Sequence, residues 1–326
     1  LLEADPAPLV LQLAQWGAGL GEDLPWLVPP PQASLQEGQA LLRQLGALDG
    51  QGTLSGEGRA MAGLGVHPRL ARLLLQARAL GAESLGCALA ALLSERDPLQ
   101  ASEAGCDLMR RVDWLERGPS RDPRRQQLRQ LQQQLQRQLA DCSAATPPSS
   151  NTNPDRTPQP AANGALAAEL VACAYPERVA LARGGGSGRF LTRGGRGAEL
   201  PPGDPLLGCE ALAIAAADGA GSDCRIQLAL PLPRISLESL AAEAGELEAL
   251  VTWDSREQRV RSERQLRLGA LVLERRPWPD APDGALLEAL LEGLASLGLE
   301  ALPWDSANRQ LQQRLCLAHQ HLGAPW

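Results

Sequence analysis

The stretch RFLTRGGRGAEL, residues 189–200, decides the fold of the second half of the chain. Two short strand-like runs flank a central Gly-Gly pair, which is typical of a tight β-hairpin because glycine adopts turn conformations that other residues disfavour. Two further pairs of strand-like runs follow, at residues 210–217 with 224–230 and at 250–253 with 265–273. Three such pairs predict a small, mostly antiparallel β-barrel within residues 165–280.

Helices are predicted on both sides of this barrel, because apolar residues recur there at helical spacing. Downstream, they fall at residues 285–297 and 305–322, within a C-terminal helical segment over residues 281–326. Upstream, one helix is expected near residues 165–174, and others at residues 69–80, 83–93 and 110–139. The leucine faces of the upstream helices predict a helical bundle over residues 68–141.

The first 67 residues show the order helix, helix, small hairpin. Helices are predicted at residues 9–16 and 34–45, and Ser34 with Glu37 three residues later fits a capping box. Residues 47–49 and 53–55 flank a glycine-containing turn, and another helix is expected from about Gly56. This order is typical of a winged-helix domain, which we predict over residues 1–67.

Residues 142–164 read CSAATPPSSNTNPDRTPQPAANG and carry almost no large apolar side chains. Such a segment cannot bury enough surface to order itself, so we predict a flexible linker and a domain boundary. The predicted fold class is therefore α+β and multidomain: winged helix, helical bundle, linker, barrel region and C-terminal helices.

The composition is that of a globular protein. With 326 residues and 44% hydrophobic content, the chain can bury two or three cores. Its seven cysteines are scattered singly, which favours reduced thiols over a zinc site. The sequence contains no apolar run of membrane-spanning length and no signal-peptide pattern, so we expect a cytoplasmic protein without a membrane partner. Because the first residue is not Met, we expect a fragment.

The basic residues indicate which chemistry this chain lacks, since all 31 of them are arginines. A nucleotide-hydrolysing motor needs a glycine-rich loop whose lysine reaches the β and γ phosphates. The glycines of residues 184–188 therefore predict a flexible connection before a strand, and not a phosphate loop. We expect no catalytic residue, because no carboxylate pair has apolar flanks. We expect no metal site either, because the cysteines are scattered and only three histidines could join them. His67, directly before Pro68, is expected to cap or to pack.

The arginines are unevenly distributed, which predicts local basic surfaces in a chain of net charge −7. Residues 178–196 hold five arginines and no acid, and residues 256–276 hold seven against three glutamates. Small barrels bind single strands through phosphate contacts and base stacking. The candidate nucleic-acid-binding residues are thus Arg178, Arg183, Arg189, Arg193 and Arg196. Phe190 among them is expected in the core, and the alternative is that these arginines only keep a sheet surface solvated.

Several segments resemble a known family. Those that resemble the winged-helix and ratchet regions of DEAH-box helicases are residues 7–14 (APLVLQLA), 41–49 (LLRQLGALD), 58–62 (GRAMA), 67–74 (HPRLARLL) and 89–97 (LAALLSERD). Those that resemble the bacterial HrpB group are residues 174–180 (AYPERVA), 188–191 (GRFL), 195–198 (GRGA), 268–273 (LGALVL) and 302–304 (LPW). Together they span nearly all of the chain in the family's order.

This resemblance implies two RecA-like domains upstream, followed by a winged helix, a ratchet bundle over threaded RNA and an OB-like barrel that guides the strand. ATP and Mg²⁺ would bind the motor domains, so ATP-dependent RNA helicase activity carries over only to an intact protein. Arg69 and Arg72 on the predicted ratchet helix match the family's pattern and join the candidate RNA-binding residues. The implied partners are single-stranded RNA and the RecA-like domains. A protein-interaction scaffold is the main alternative, and a stand-alone hydrolase is a third.

Overall fold

The computed structural model describes residues 5–100, 104–143, 160–184, 187–219, 223–298 and 304–323. The chain is an α+β protein with eleven helices, a closed five-stranded barrel and a three-stranded sheet in these ranges. It divides into two compact units, the first of Leu1–Ala244 with Gly269–Leu271 and the second of Gly245–Leu268 with Val272–Trp326.

Three short helices open the first unit: α1 (Ala7–Trp16), α2 (Gln32–Gln44) and α3 (Gly56–Gly63). The predicted wing consists of one isolated bridge, between Leu48 and Leu54. The capping-box prediction is wrong, because α2 begins two residues before Ser34 and no side chain caps it. Pro31 provides the extended residue ahead of the helix (φ −58°, ψ 129°), so the helix starts as soon as the proline run ends.

Five helices then form the bundle: α4 (Pro68–Ala79), α5 (Glu83–Ser94), α6 (Leu108–Arg117), α7 (Pro123–Ser143) and α8 (Pro160–Ala174). Helix α5 is central and packs against α4, α7 and α8. Gly86 allows the close approach to α4, since a Cβ there would lie 2.3 Å from the Cβ of Ala77. The Nδ1 atom of His67 accepts a hydrogen bond from the backbone N–H of Arg69 at 3.3 Å and caps α4, as predicted.

The predicted linker, residues 142–164, is described only at its two ends. Helix α7 continues through Ser143 and α8 begins at Pro160, so both ends are helical. The alanines at the start of α8 favour helix, which accounts for its early beginning. Residues 144–159 of the predicted linker lie outside the described residues, as do Gly185 and Gly186 of the glycine cluster, the turn residues Ala220 and Gly221, and residues 302–303.

The barrel contains five strands: β1 (Val179–Ala182), β2 (Arg189–Thr192), β3 (Gly197–Glu199), β4 (Ala211–Asp218) and β5 (Asp223–Pro231). They close in the order β1-β2-β3-β5-β4, with β4 also paired to β1. The two hairpins predicted first are confirmed, and Phe190 lies in the barrel core at 2% exposure. The barrel is mixed and not purely antiparallel, because β3 pairs in parallel with β5.

The third predicted pair of strands does not belong to the barrel, which corrects the sequence prediction. Strands β6 (Glu246–Asp254), β7 (Arg259–Leu268) and β8 (Leu271–Pro277) form a separate antiparallel sheet. An unpredicted helix, α9 (Arg234–Ala244), follows the last barrel strand and separates the two sheets along the chain.

The second unit ends in α10 (Asp283–Leu297) and α11 (Ser306–Leu322). Helix α10 covers the three-stranded sheet, and Gly293 makes this possible because a Cβ there would lie 2.1 Å from the Trp253 ring. None of the helices in the described ranges is both long and apolar enough to cross a membrane.

Candidate nucleic-acid interface

Arg69 and Arg178 hold the ring of Tyr175 between them. Their guanidinium carbons lie 4.9 Å and 4.8 Å from the ring centroid, which is cation–π geometry. Arg69 also donates to both carboxylate oxygens of Glu177, at 2.8 Å and 3.1 Å, and to the carbonyl of Ala174 at 2.9 Å. Because Arg69 is only 8% exposed, its charge is used to join α4 to the end of α8.

Two more of the predicted arginines make contacts within the first unit. Arg178 donates to the carbonyl of Ala215 in β4 at 2.9 Å, and its Nε lies 3.3 Å from Glu177. Arg72 pairs with Glu57 and so joins α4 to α3. Arg69, Arg72 and Arg178 are therefore all ion-paired in this structure. Their acidic partners, Glu57 and Glu177, lie outside residues 178–196, the stretch that holds no acid.

Arg183 and Arg189 have a different environment, at the loop end of the β1–β2 hairpin. The backbone N–H of Arg183 donates to the carbonyl of Arg189 at 2.7 Å, which places the two residues opposite each other. Both are exposed, and neither guanidinium has a hydrogen-bond or ion-pair partner among the described residues. This end of the hairpin thus presents two positive charges that nothing in the described ranges neutralises by direct contact.

Arg193 and Arg196 lie at the other end of β2, in the turn that leads to β3. Arg193 is half-buried, and its backbone N–H donates to Val179 at 2.7 Å. Arg196 is exposed and donates to the carbonyl of Gly219 after β4 at 2.9 Å. The five barrel arginines predicted from sequence therefore do not form one patch, because β2 separates them into two pairs and Arg178 lies with Tyr175.

The outer face of the barrel alternates in charge from strand to strand. Arg189 on β2 is in register with Glu199 on β3, Glu199 with Arg225 on β5, and Arg225 with Asp218 on β4. All four side chains are exposed. Such cross-strand pairs of opposite charge stabilise a sheet modestly. Because two arginines face two acids, the outer face carries little net charge except at its edge beside Arg183.

The second arginine-rich stretch, residues 256–276, lies in the three-stranded sheet and is largely paired. Its ion pairs join Arg259 to Glu257, Arg261 to Asp254 and Glu257, Arg267 to Glu248, and Arg276 to Glu274. Arg264 instead lies 5.0 Å from the ring centroid of Trp278. Acids on β6, in the β6–β7 turn and on β8 therefore pair with four of the seven arginines of this sequence cluster.

Sequence analysis missed Arg111, which is 1% exposed and is the largest fully buried side chain in the described ranges. It donates to Asp97 at 2.8 Å and to the carbonyls of Ala104, Gly105 and Asp107 at 2.7 to 3.3 Å. A cavity of about 680 Å³ opens beside it, between the segment after α5, the start of α7 and β5. No local pattern could reveal this site, because its residues are far apart in the sequence.

The described ranges contain no group of three or more acidic, histidine or cysteine side chains that could hold a metal ion. Burial raises the pKa of the Cys173 thiol to about 12, and the pKa of Cys106 rises to about 12 through burial and the neighbouring Asp204. These two thiols are therefore in the protonated form at neutral pH, which is the poorly nucleophilic form.

Comparison with known proteins finds that this chain is similar to the non-motor region of RNA helicases of the DEAH/RHA class. Two curated relatives support this class over part of the chain. The ATP-dependent RNA helicase HrpA of Escherichia coli and its homolog in Haemophilus influenzae are each 33% identical, over 30% of this chain and 8% of their own lengths.

More particularly, the chain is homologous to the C-terminal region of the bacterial DEAH-type helicase HrpB. The ATP-dependent RNA helicase HrpB of Escherichia coli is 29% identical over 98% of this chain. Its crystal structure as a DExH-box NTPase matches with a TM-score of 0.68. Residues 248–278 match the family model for the HrpB connector region, which corresponds to the three-stranded sheet. The chain spans about a third, 36%, of the curated relative's length.

Proposed function

We propose that this chain guides and clamps single-stranded RNA beside a RecA-like motor that hydrolyses ATP. In this proposal α1–α3 act as a winged helix, α4–α8 as the ratchet bundle and β1–β5 as an OB-like barrel. The barrel's strand order and its parallel β3–β5 pair support this assignment. OB-folds bind single strands across strands β2 and β3 and the neighbouring loops.

The observation that carries the proposal is the uncommitted pair Arg183 and Arg189. Both guanidinium groups are exposed and lack a direct partner among the described residues, at the β1–β2 loop of the barrel. Since the other predicted arginines contact protein groups or are half-buried, this pair is the best placed of the predicted arginines for phosphate contact. Phosphate contacts position a strand without reading its sequence, so this end of the barrel should bind many sequences.

A salt titration of RNA binding tests the proposal. The chain should bind a fluorescent single-stranded RNA at low salt, and Arg183→Glu with Arg189→Glu should weaken binding by about tenfold or more. The slope of log affinity against log salt should also fall by roughly 1.4, since each phosphate contact on a single strand contributes about 0.7.

The matched control reverses two exposed arginines away from the barrel, Arg43→Glu with Arg117→Glu, and so changes the net charge equally. This control should retain nearly all of the binding and its salt slope. Equal losses in both variants would contradict the assigned surface. An absence of RNA binding by the unaltered chain at low salt would reject the RNA function and favour a protein-interaction scaffold.

A further inference from the structure

The cavity beside Arg111 is lined by three elements that are distant in sequence. Residues 95–100 after α5 form one wall, the first turns of α7 form another, and Gln227 on β5 contributes the third. All of these elements belong to the first unit. The cavity of about 680 Å³ lies within the range of small-molecule sites, which are roughly 300–1,000 Å³. It is therefore large enough for one nucleotide unit.

Three carboxamides line this cavity, one from each wall: Gln100, Gln127 and Gln227. None of them has a hydrogen-bond partner among the described residues, and Gln100, Gln127 and Gln227 are all exposed to solvent. A carboxamide offers two donors and one acceptor, so together they can match a planar ligand that carries both kinds of group. Arg96, also in the lining, has no partner in the described ranges either.

The charges around the cavity are largely balanced. Arg111 is bound by Asp97 at 2.8 Å, and Arg124 lies 3.2 Å from Asp122. The lining holds Glu95 as well as Arg96. A free phosphate dianion would therefore find little net positive charge here, whereas a neutral polar ring would find unused hydrogen-bonding groups.

We propose that this cavity holds a nucleobase of the single-stranded RNA, with Gln100, Gln127 and Gln227 bonding its polar edge. The inference rests on the proposed function and adds a base-binding site to it. Proteins recognise single-stranded RNA by splaying bases out of the stack, bonding their edges and stacking guanidinium planes on them. Arg96 is the uncommitted guanidinium for that stacking. The site complements the arginines of the β1–β2 loop, which contact phosphate alone.

The experiment compares two oligonucleotides of equal length, one intact and one whose central positions are abasic. The unaltered chain should bind the abasic strand roughly tenfold more weakly, since it loses the base-edge hydrogen bonds and the stacking. Gln127→Ala with Gln227→Ala should weaken binding of the intact strand by a similar factor. That variant should bind the abasic strand as the unaltered chain does. Gln134→Ala, an exposed residue on α7 outside the cavity lining, is the control and should change nothing.

The outcomes separate this site from the general RNA function. Equal binding of intact and abasic strands by the unaltered chain would overturn the cavity proposal and leave the phosphate contacts standing. Loss of all RNA binding in the unaltered chain would remove both proposals. A third outcome is that a mononucleotide binds only when the glutamines are present, while abasic substitution of the RNA has no effect. This result would show a site for free nucleotides and would overturn the proposal that the cavity holds a base of the RNA strand.

Discussion

The barrel and the three-stranded sheet are both rich in arginine, but their arginines have different partners. In the sheet, acids on β6, in the β6–β7 turn and on β8 pair with most of them. At the β1–β2 end of the barrel, Arg183 and Arg189 have no direct partner among the described residues. The comparison teaches that direct side-chain contacts, and not register alone, decide which arginines of a cluster remain available, because Glu199 stands opposite Arg189 without an ion pair to it among the described residues.

We expect the largest effect, a loss of stability, from replacing the buried Arg111, because its guanidinium bonds Asp97 and three backbone carbonyls. We expect Arg111→Met to lower the free energy of unfolding by about 3 kcal/mol, because Asp97 loses its partner and three carbonyls lose a donor. A urea denaturation curve measures this change. Arg110→Met, at the exposed neighbouring position, should stay within about 0.5 kcal/mol of the unaltered chain. Equal stability of the two variants would show that Arg111 is dispensable.

The second prediction concerns a substitution that leaves an arginine of the sheet without its acid, as Arg183 and Arg189 are in the barrel. Glu257 pairs with both Arg259 and Arg261, so Glu257→Gln should leave Arg259 without its acid and Arg261 with Asp254 alone. We expect RNA binding at low salt to strengthen by about threefold, with a steeper salt dependence, because a new phosphate contact becomes available.

The control for this change is Glu243→Gln on α9, which alters the net charge equally at an exposed position outside the sheet. It should leave RNA affinity nearly unchanged. If both variants strengthened binding alike, net charge and not local pairing would govern the affinity. The difference in arginine pairing between barrel and sheet would then not explain RNA binding.

The parts of the fold that depend on local signals could be predicted from the sequence. The Gly-Gly turn determines the β2–β3 hairpin, and leucine spacing locates α4 and α5, because both patterns act between residues close in the chain. The parallel β3–β5 pair, the separate sheet and α9 were missed. Their placement depends on which distant strands meet, and neither turn residues nor periodicity carries that information.

The candidate site was harder to predict for the same reason. Arg69 and Arg178 look like free cations in sequence, yet Glu177 and Tyr175 engage both of them after folding. Conversely, Gln100, Gln127 and Gln227 look like ordinary surface amides, and only the tertiary structure places them around one cavity. A charge run in sequence therefore does not tell which side chains remain without protein contacts after folding.

The smallest expected effect concerns a half-exposed pair, intermediate between the buried Arg111 and the free barrel arginines. The Nε2 atom of His67 lies 3.2 Å from Asp5, and this hydrogen bond is the main reason that the pKa of Asp5 falls from 3.8 to about 2. A carboxylate with a lowered pKa in the folded state adds stability above pH 3.8 and loses it as the pH falls toward 2. Because the Asp5 side chain is 43% exposed, its contribution should stay below about 1 kcal/mol.

Replacing Asp5 with Asn removes that titration. Unfolding free energies measured at several pH values should show a shallower decline for Asp5→Asn than for the unaltered chain, in the window between pH 3.8 and about 2. The control, Asp23→Asn, changes another exposed acid in the N-terminal region that has no ion pair in the described ranges, and it should keep the original slope. Identical slopes for Asp5→Asn and the unaltered chain would mean that the contact with His67 contributes nothing to stability. In that case, partial exposure would be enough to cancel the contribution of this hydrogen bond.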